Sequence, residues 1–482
     1  MPSDVLSRSN SKTPADGLRR GAPSAFGVDA RTVGAFLDDV ERAGLELHGF
    51  MLWRSGAVVA EGWHWPYRAD RLRMMHSVTK SITGCAIGFL VEEGRLSLDA
   101  RVADFFPTEA AAADPRTRFL TVEHLLSMRT GHAVEVSGAL WRGIESSWVA
   151  EFFRIPVEHD PGTVHVYSSA ASYMLSAIVT RVTGKTIHDY LRPRLFQPLG
   201  ITSERWDIGP DGFNPGGNGI DLTLPDALKF GILHAQRGVW AGQQILPAEW
   251  IDAATQPQGS ERYGHHWVVG DGYYAALGVF VQMVAIWPEQ GVVLAITGAM
   301  EDSSVLLPHL RRHFPGAFRS NCDPASDETL RRRLEAWSQP PKVTPSASAR
   351  EIEIDRSTWI VDQNDLGISR LSFETTGATV TLMLHDRRGS HDITAAFEGW
   401  RETTTDMPGS TLHHGYCISG PVVAGARWLS DTTLEMTWHF VETAFRDTVV
   451  VDFEDDELVL NRSVNINSGN RAWPTLVARR VR

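Results

Sequence analysis

Two sets of strand-forming runs stand at either end of a mostly helical stretch, and together they restrict the fold more than any other feature. Leu47–Arg54 and Ala57–Trp63 are apolar runs around Ser55-Gly56, a hairpin signal. Gly264–Val269, Tyr273–Ala276, Val279–Trp287 and Val292–Thr297 form the second set, turned at Asp271-Gly272 and Gln290-Gly291. Strands this apolar need partners on both edges. The economical solution joins both sets in one antiparallel sheet, with the intervening residues as a helical subdomain beside it. Helices flank the set: Asp29–Gly44 places Val33, Phe36, Leu37 and Val40 at helical spacing, and Val305–Phe314 closes the region. The expected class is α/β in the α+β sense, an antiparallel sheet flanked by helices.

The pattern changes after residue 318. Residues 319–348 are rich in Ser, Pro and charge, with Pro340-Pro341 and one helical segment, Glu328–Trp337. From Glu351 to Val481 short alternating runs recur, among them Thr379–Leu384, Thr411–Ile418, Val423–Leu429 and Leu434–Phe440. About eight such strands with turn signals predict a separate all-β antiparallel barrel or sandwich. The start of the chain has no apolar run. The expected organisation is a disordered tail over 1–25, a first domain over 26–318, a linker over 319–348 and a β-barrel over 349–482.

Charge and cysteine content exclude several classes. The formal net charge of −12 opposes binding to nucleic acid or to an acidic membrane surface. Cys85, Cys322 and Cys417 lie far apart, which excludes a disulfide framework or a structural zinc site and fits a reducing compartment. No run reaches the ~18 apolar residues of a spanning helix, so a cytoplasmic location is expected. The glycine-rich Asn214–Gly219 lacks the Gly-Lys-Ser/Thr ending of a phosphate loop and reads as tight turns. No cofactor and no metal are expected.

The chemistry is concentrated at Ser77-Val78-Thr79-Lys80, at the start of a helical pattern that carries Ile82, Ala86, Ile87, Phe89 and Leu90. Residues three apart on a helix share a face, so Lys80 would place its amine beside the Ser77 hydroxyl. A serine nucleophile needs a base and a set of oxyanion donors, and the first turn of a helix offers free N–H groups. Taken alone the motif is weak, since Ser, Thr and Lys at a helix start usually form a cap and a solvated face.

Further segments change that balance. Tyr167-Ser168-Ser169 precedes a helical run after the turn Pro161-Gly162-Thr163, and Ala276-Leu277-Gly278 enters a long apolar run. Leu125-Leu126-Ser127-Met128-Arg129-Thr130-Gly131-His132 stands between Lys80 and Tyr167, and Phe196-Gln197-Pro198-Leu199-Gly200-Ile201 between Ser169 and Ala276. In order and spacing this set resembles the serine β-lactamase and penicillin-binding-protein superfamily over residues 26–315, nearest in flavour to its class C-like esterases and amidases. The resemblance implies an acyl-enzyme on Ser77, with Lys80 and Tyr167 relaying the proton. It implies an oxyanion hole from the backbone N–H groups of Ser77 and Val279. The region after 348 more weakly resembles the lipocalin-like extensions of some of these hydrolases.

Two departures bear on specificity. Ser169 stands where the family often has Asn, and Ala276-Leu277-Gly278 stands where it often has Lys-Thr-Gly or His-x-Gly. Ser169, Ala276, Leu277 and Gly278 are therefore candidate substrate contacts. So is His266, which with His265 stands on the preceding strand run. Trp141, in the irregular aromatic stretch that includes Trp148, is a candidate lid residue. The expected partner is a small neutral ester or amide, with a homo-oligomer left open. The alternatives are a β-lactamase or D-amino-acid peptidase, and a non-catalytic binding protein on the same scaffold.

Overall fold

The computed structural model describes residues 16–135, 141–319, 322–342, 346–409 and 419–481. The chain divides into two compact units. The first comprises Pro14–His64 and Arg68–Ser338. The second comprises Gln339–Arg482 with the short segment Trp65–Tyr67.

In the first unit, helix α1 (Ala30–Arg42) is capped by the Asp29 carboxylate, which accepts from Arg31 N. Strands β1 (Glu46–Arg54) and β2 (Ala57–Trp63) follow as the expected hairpin. Helix α2 (Val78–Glu92), α3 (Val122–Leu126), α4 (Trp148–Arg154), α5 (Ser169–Thr183) and α6 (Leu224–Ala235) supply most of the helical middle. Then come β3 (Val268–Val269), β4 (Tyr274–Gly278), β5 (Gln282–Trp287) and β6 (Val292–Ala299), and finally α7 (Leu307–Ala317) and α8 (Ala325–Ala336). The two strand sets do join in one antiparallel sheet of order β2-β1-β6-β5-β4-β3. The long-range seam pairs Phe50 with Ile296 and Arg54 with Val292.

Strand alternation sends side chains to two faces. Phe50, Leu52, Met283, Ala285, Leu294 and Ile296 share one core with Val33, Phe36 and Leu37 of α1, Leu310 and Phe314 of α7, and Leu330 and Leu334 of α8. The other face packs against α2 and α6. Every residue of α2 from Val78 to Leu90 is buried. Such an all-round buried helix is a central core element rather than an amphipathic surface helix, which holds its first turn rigidly in the middle of the unit.

Several expectations need correction. The reach read as a linker, 319–348, contains α8, whose Leu330 and Leu334 lie in the core. Within the tail read as 1–25, residues 16–25 are ordered: Val58 N donates to Arg19 O at 2.8 Å and Gly21 N to Val58 O at 3.0 Å. Residues 1–15 lie outside the described residues. The run Gly264–Val269 shrinks to β3, because His265 and His266 form a bend with His266 at φ +64°. Val279–Val281 is a turn, with Phe280 and Val281 at φ +63° and +66°.

The second unit contains a ten-stranded antiparallel sheet that closes through a parallel bridge between Ala396 and Gly425. Leu434, Met436 and Trp438 of one strand and Val449, Val451 and Phe453 of the next fill its interior, as alternation demands of a barrel. A buried ion pair is part of that interior, with Arg462 Nε donating to Asp447 at 2.6 Å. Ser357–Val361, Arg401–Thr405 and Leu476–Arg480 are strands the sequence reading did not anticipate. The expected strand Thr411–Ile418 and Cys417 lie outside the described residues. Among the described residues no helix is long and apolar enough to cross a membrane, and no cluster of His, Cys, Asp or Glu could hold a metal ion.

Candidate active site

Ser77 occupies the N-cap of α2, yet its hydroxyl makes no capping bond. It meets the Lys80 amine instead, at 3.0 Å. The plain reading of this stretch as a cap plus a solvated lysine therefore fails on both counts. Lys80 is only 1% exposed. Its Nζ also lies 3.1 Å from Ser169 Oγ and 2.8 Å from the Gly217 carbonyl. Ser169 reaches it from the first turn of α5, where the preceding Ser168 is the cap and accepts from Ala171 N.

Burial disfavours the ammonium form, and it brings the Lys80 pKa down to about 7, against a smaller opposing pull from Glu135. Burial pushes the Tyr167 phenol well above its ordinary range, although a hydrogen bond with Ser77 works the other way. The Tyr167 ring centroid lies 4.7 Å from Lys80 Nζ. Near neutral pH the lysine can thus be uncharged while the tyrosine keeps its proton. Ser77, Lys80, Tyr167 and Ser169 are brought together as the sequence suggested.

The glycine-rich segment Asn214–Ile220 belongs to this site, and the sequence reading missed its part. It is strapped to α2 through Thr83 Oγ1, which donates to Gly216 O at 2.8 Å, and to α5 through Ser176 Oγ, which donates to Asn214 O at 2.7 Å. A Cβ on Gly216 would come within 2.2 Å of Ser172 O, and one on Gly217 within 2.8 Å of Ser169 O. Only glycine lets the strap lie this close to α5 and present the Gly217 carbonyl to Lys80. The adjacent glycine pair was the available signal.

On the sheet side, a Cβ on Gly278 would meet Met75 O at 2.5 Å and His76 Cβ at 3.2 Å. This contact sets the end of β4, and the Val279 that follows, against the residues leading into Ser77. Ser303 Oγ fixes the same end by donating to Gly278 O at 2.9 Å. Ala276 and Leu277 cannot both line the cleft, because they alternate. Ala276 is buried on the α2 face, whereas Leu277 packs on the opposite core with α1 and α7. Leu277 is therefore removed from the candidate contacts.

His266 is also misplaced by the sequence reading. Its imidazole Nε2 lies 3.0 Å from Ser172 Oγ of α5, and its carbonyl accepts from Ser81 Oγ of α2 at 2.6 Å. Its backbone N–H reaches Leu126 O of α3. It is a buried strut between three helices, held far below the usual histidine range by burial and by the Lys80 cation.

Trp141 is packed, not poised. It is buried against Trp148 at 5.8 Å and edge-on to Tyr173 of α5 at 6.1 Å between ring centroids. Trp141→Ala should therefore cost about 3–5 kcal/mol of stability in a urea titration, with KM for the best substrate nearly unchanged. An unaltered unfolding midpoint with a shifted KM would restore the lid role.

A family model described as Beta-lactamase matches residues 30–299, and the chain belongs to that family. It is 28% identical to penicillin-binding protein 4 of Amycolatopsis lactamdurans, over 47% of this chain and 72% of that one. It is also 28% identical to the esterase EstB of Burkholderia gladioli, over 53% and 82%. Among solved structures, a family VIII carboxylesterase aligns with a TM-score of 0.50 at 17% identity, covering 63% of this chain and 99% of that one. One of these is named a penicillin-binding protein and two are named esterases, and the structural likeness shows the fold alone.

Proposed function

We propose that this member of the β-lactamase family is a serine hydrolase that forms an acyl-enzyme on Ser77 and acts on a neutral ester or amide. The observation that carries the reading is the Lys80 amine, desolvated and 3.0 Å from Ser77 Oγ. An uncharged amine has two N–H bonds and one lone pair. The Gly217 carbonyl can only accept, so it takes one N–H. The lone pair is then left for a hydroxyl, and Ser77 is the hydroxyl whose loss of a proton makes a nucleophile.

In this reading Ser77 Oγ attacks the carbonyl carbon as its proton passes to Lys80. The Ser77 and Val279 N–H groups receive the oxyanion. As the intermediate collapses, the Tyr167 phenol gives its proton to the leaving oxygen or nitrogen and is reprotonated from Lys80. Water or another nucleophile then releases the acyl group, so hydrolysis and acyl transfer share every step but the last. Ser169 supports the same relay by holding Lys80 from the α5 side.

Substrate class follows from Ala276. A carboxylate buried beside the scissile carbonyl needs a cationic or hydroxyl partner, and this position offers neither. An unpaired buried carboxylate costs roughly several kcal/mol. Since ~1.4 kcal/mol is a factor of about ten, even part of that cost means on the order of hundreds-fold poorer use of such substrates. Short p-nitrophenyl esters or neutral amides should turn over, and nitrocefin should react little or not at all. Nitrocefin turnover comparable to that of the best ester would move the protein to the β-lactamase reading. Arg142, whose field reaches His76, would then be the first candidate partner for the carboxylate.

A further inference from the structure

The two oxyanion donors assigned above come from separate parts of the chain, and both neighbourhoods are strained. His76, just before Ser77, has φ +47°, and Phe280 and Val281, just after Val279, have φ +63° and +66°. Left-handed backbone at such side chains persists only where the surroundings impose it, and it gathers at functional sites. Each half is anchored in its own element. The His76 carbonyl accepts from Thr79 N at 3.1 Å and from Thr79 Oγ1 at 2.6 Å within α2. The Phe280 carbonyl accepts from Met300 N at 3.3 Å and Gln282 Nε2 at 3.4 Å on the sheet.

The halves meet through one ring pair. The buried His76 imidazole stands edge-on to the fully buried Phe280 ring, 5.6 Å between centroids at an interplanar angle of 82°. This is a favourable aromatic arrangement. Beneath it, Gly278 leaves no room for a Cβ against Met75 and His76. Burial, then the Arg142, Arg73 and Lys80 cations, hold the imidazole uncharged, with its pKa down to about 3. The ring therefore acts by shape rather than by proton transfer.

We infer that His76 is a positioning residue for the oxyanion site, its ring against Phe280 setting the spacing between the Ser77 and Val279 N–H groups. This rests on the Ser77 reading proposed above. Misplacing one donor weakens only what is bound in the transition state, and losing such a donor outright costs roughly 10²–10³ in kcat.

The test compares His76→Ala, His76→Asn, His76→Phe and Phe280→Leu on a p-nitrophenyl ester, with phenylboronic acid as the transition-state mimic. The alanine and leucine variants should lose about ten- to hundred-fold in kcat, an effect below that of a lost donor. KM should stay within about twofold and phenylboronic acid affinity should fall in step with kcat, as expected for a loss confined to the transition state. The double variant should be little worse than the poorer single one. Asparagine tolerates the left-handed backbone but lacks the ring, so it should behave as alanine does, while phenylalanine should regain part of the loss. Wild-type kcat in His76→Ala, full additivity, or rescue by asparagine overturns the inference. If His76→Ala does not fold, Phe280→Leu decides by the same kcat and boronate readouts. Absence of Ser77 labelling by a fluorophosphonate in the wild-type protein would remove both the serine reading and this one. Normal labelling with unimpaired variants would remove this one alone.

Discussion

Ser77→Ala is expected to abolish covalent labelling by a fluorophosphonate and to lower ester turnover by roughly four orders of magnitude or more. The size follows from what the substitution leaves. Without a nucleophile the remaining donors and binding contacts still give some acceleration, but the chemical unit acts as a whole and fails as a whole. Loss of activity through misfolding can be separated out in this case. The Ser77 hydroxyl makes no capping bond to α2, so the usual cost of losing an N-cap side chain does not arise. The hydroxyl's bonds to Lys80 and Tyr167 are lost instead, and at roughly 1 kcal/mol in a unit of this size the melting temperature should fall by only about one to three degrees. Labelling that survives in the variant, located on another residue by peptide mass mapping, would overturn the assignment.

The large features of this fold were legible because they rest on patterns that tertiary context does not reverse. The β1–β6 seam follows from two apolar strand sets with no other partners, and α1 from Val33, Phe36, Leu37 and Val40 at helical spacing. That Ser77, Lys80 and Tyr167 meet in space was legible through their order in the chain. What was lost has specific causes. Val279-Phe280-Val281 has every local preference for a strand, yet the chain turns there through left-handed backbone. Local preference is expected to fail at such a site, where surrounding structure outweighs it. The Gly217 contribution is a carbonyl, which no side-chain pattern announces. Leu277 was excludable in principle, since neighbours on a strand face opposite sides. Trp141 illustrates the opposite limit. An aromatic residue in an irregular stretch looks the same whether it covers a cleft or fills a core, and its partner Tyr173 lies on a different helix.

The buried amine of Lys80, the base in the proposed reading, yields the second large expectation. Lys80→Ala should lower kcat by about two to four orders of magnitude, the range for a general acid–base group. In the wild-type protein kcat/KM should rise with pH through about 7, as the free amine replaces the ammonium. No alkaline fall from Tyr167 should appear below pH 10, because burial pushes that phenol upward. Stability should follow the same group. Burial brings the Lys80 amine down to about 7 in the folded chain, against 10.5 for an ordinary lysine. Between those values the unfolded chain binds the extra proton, so stability increases with pH across that window. Below about 7 the full penalty of burying the charge is present, and above 10.5 the group contributes nothing. Lys80→Met should therefore flatten the rise in melting temperature between pH 7 and pH 10. The slope is the quantity to read, since methionine also leaves the Gly217 carbonyl without its donor and shifts the absolute value downward. A wild-type profile flat from pH 6 to pH 9, in rate and in melting temperature alike, would mean that Lys80 is not the titrating base.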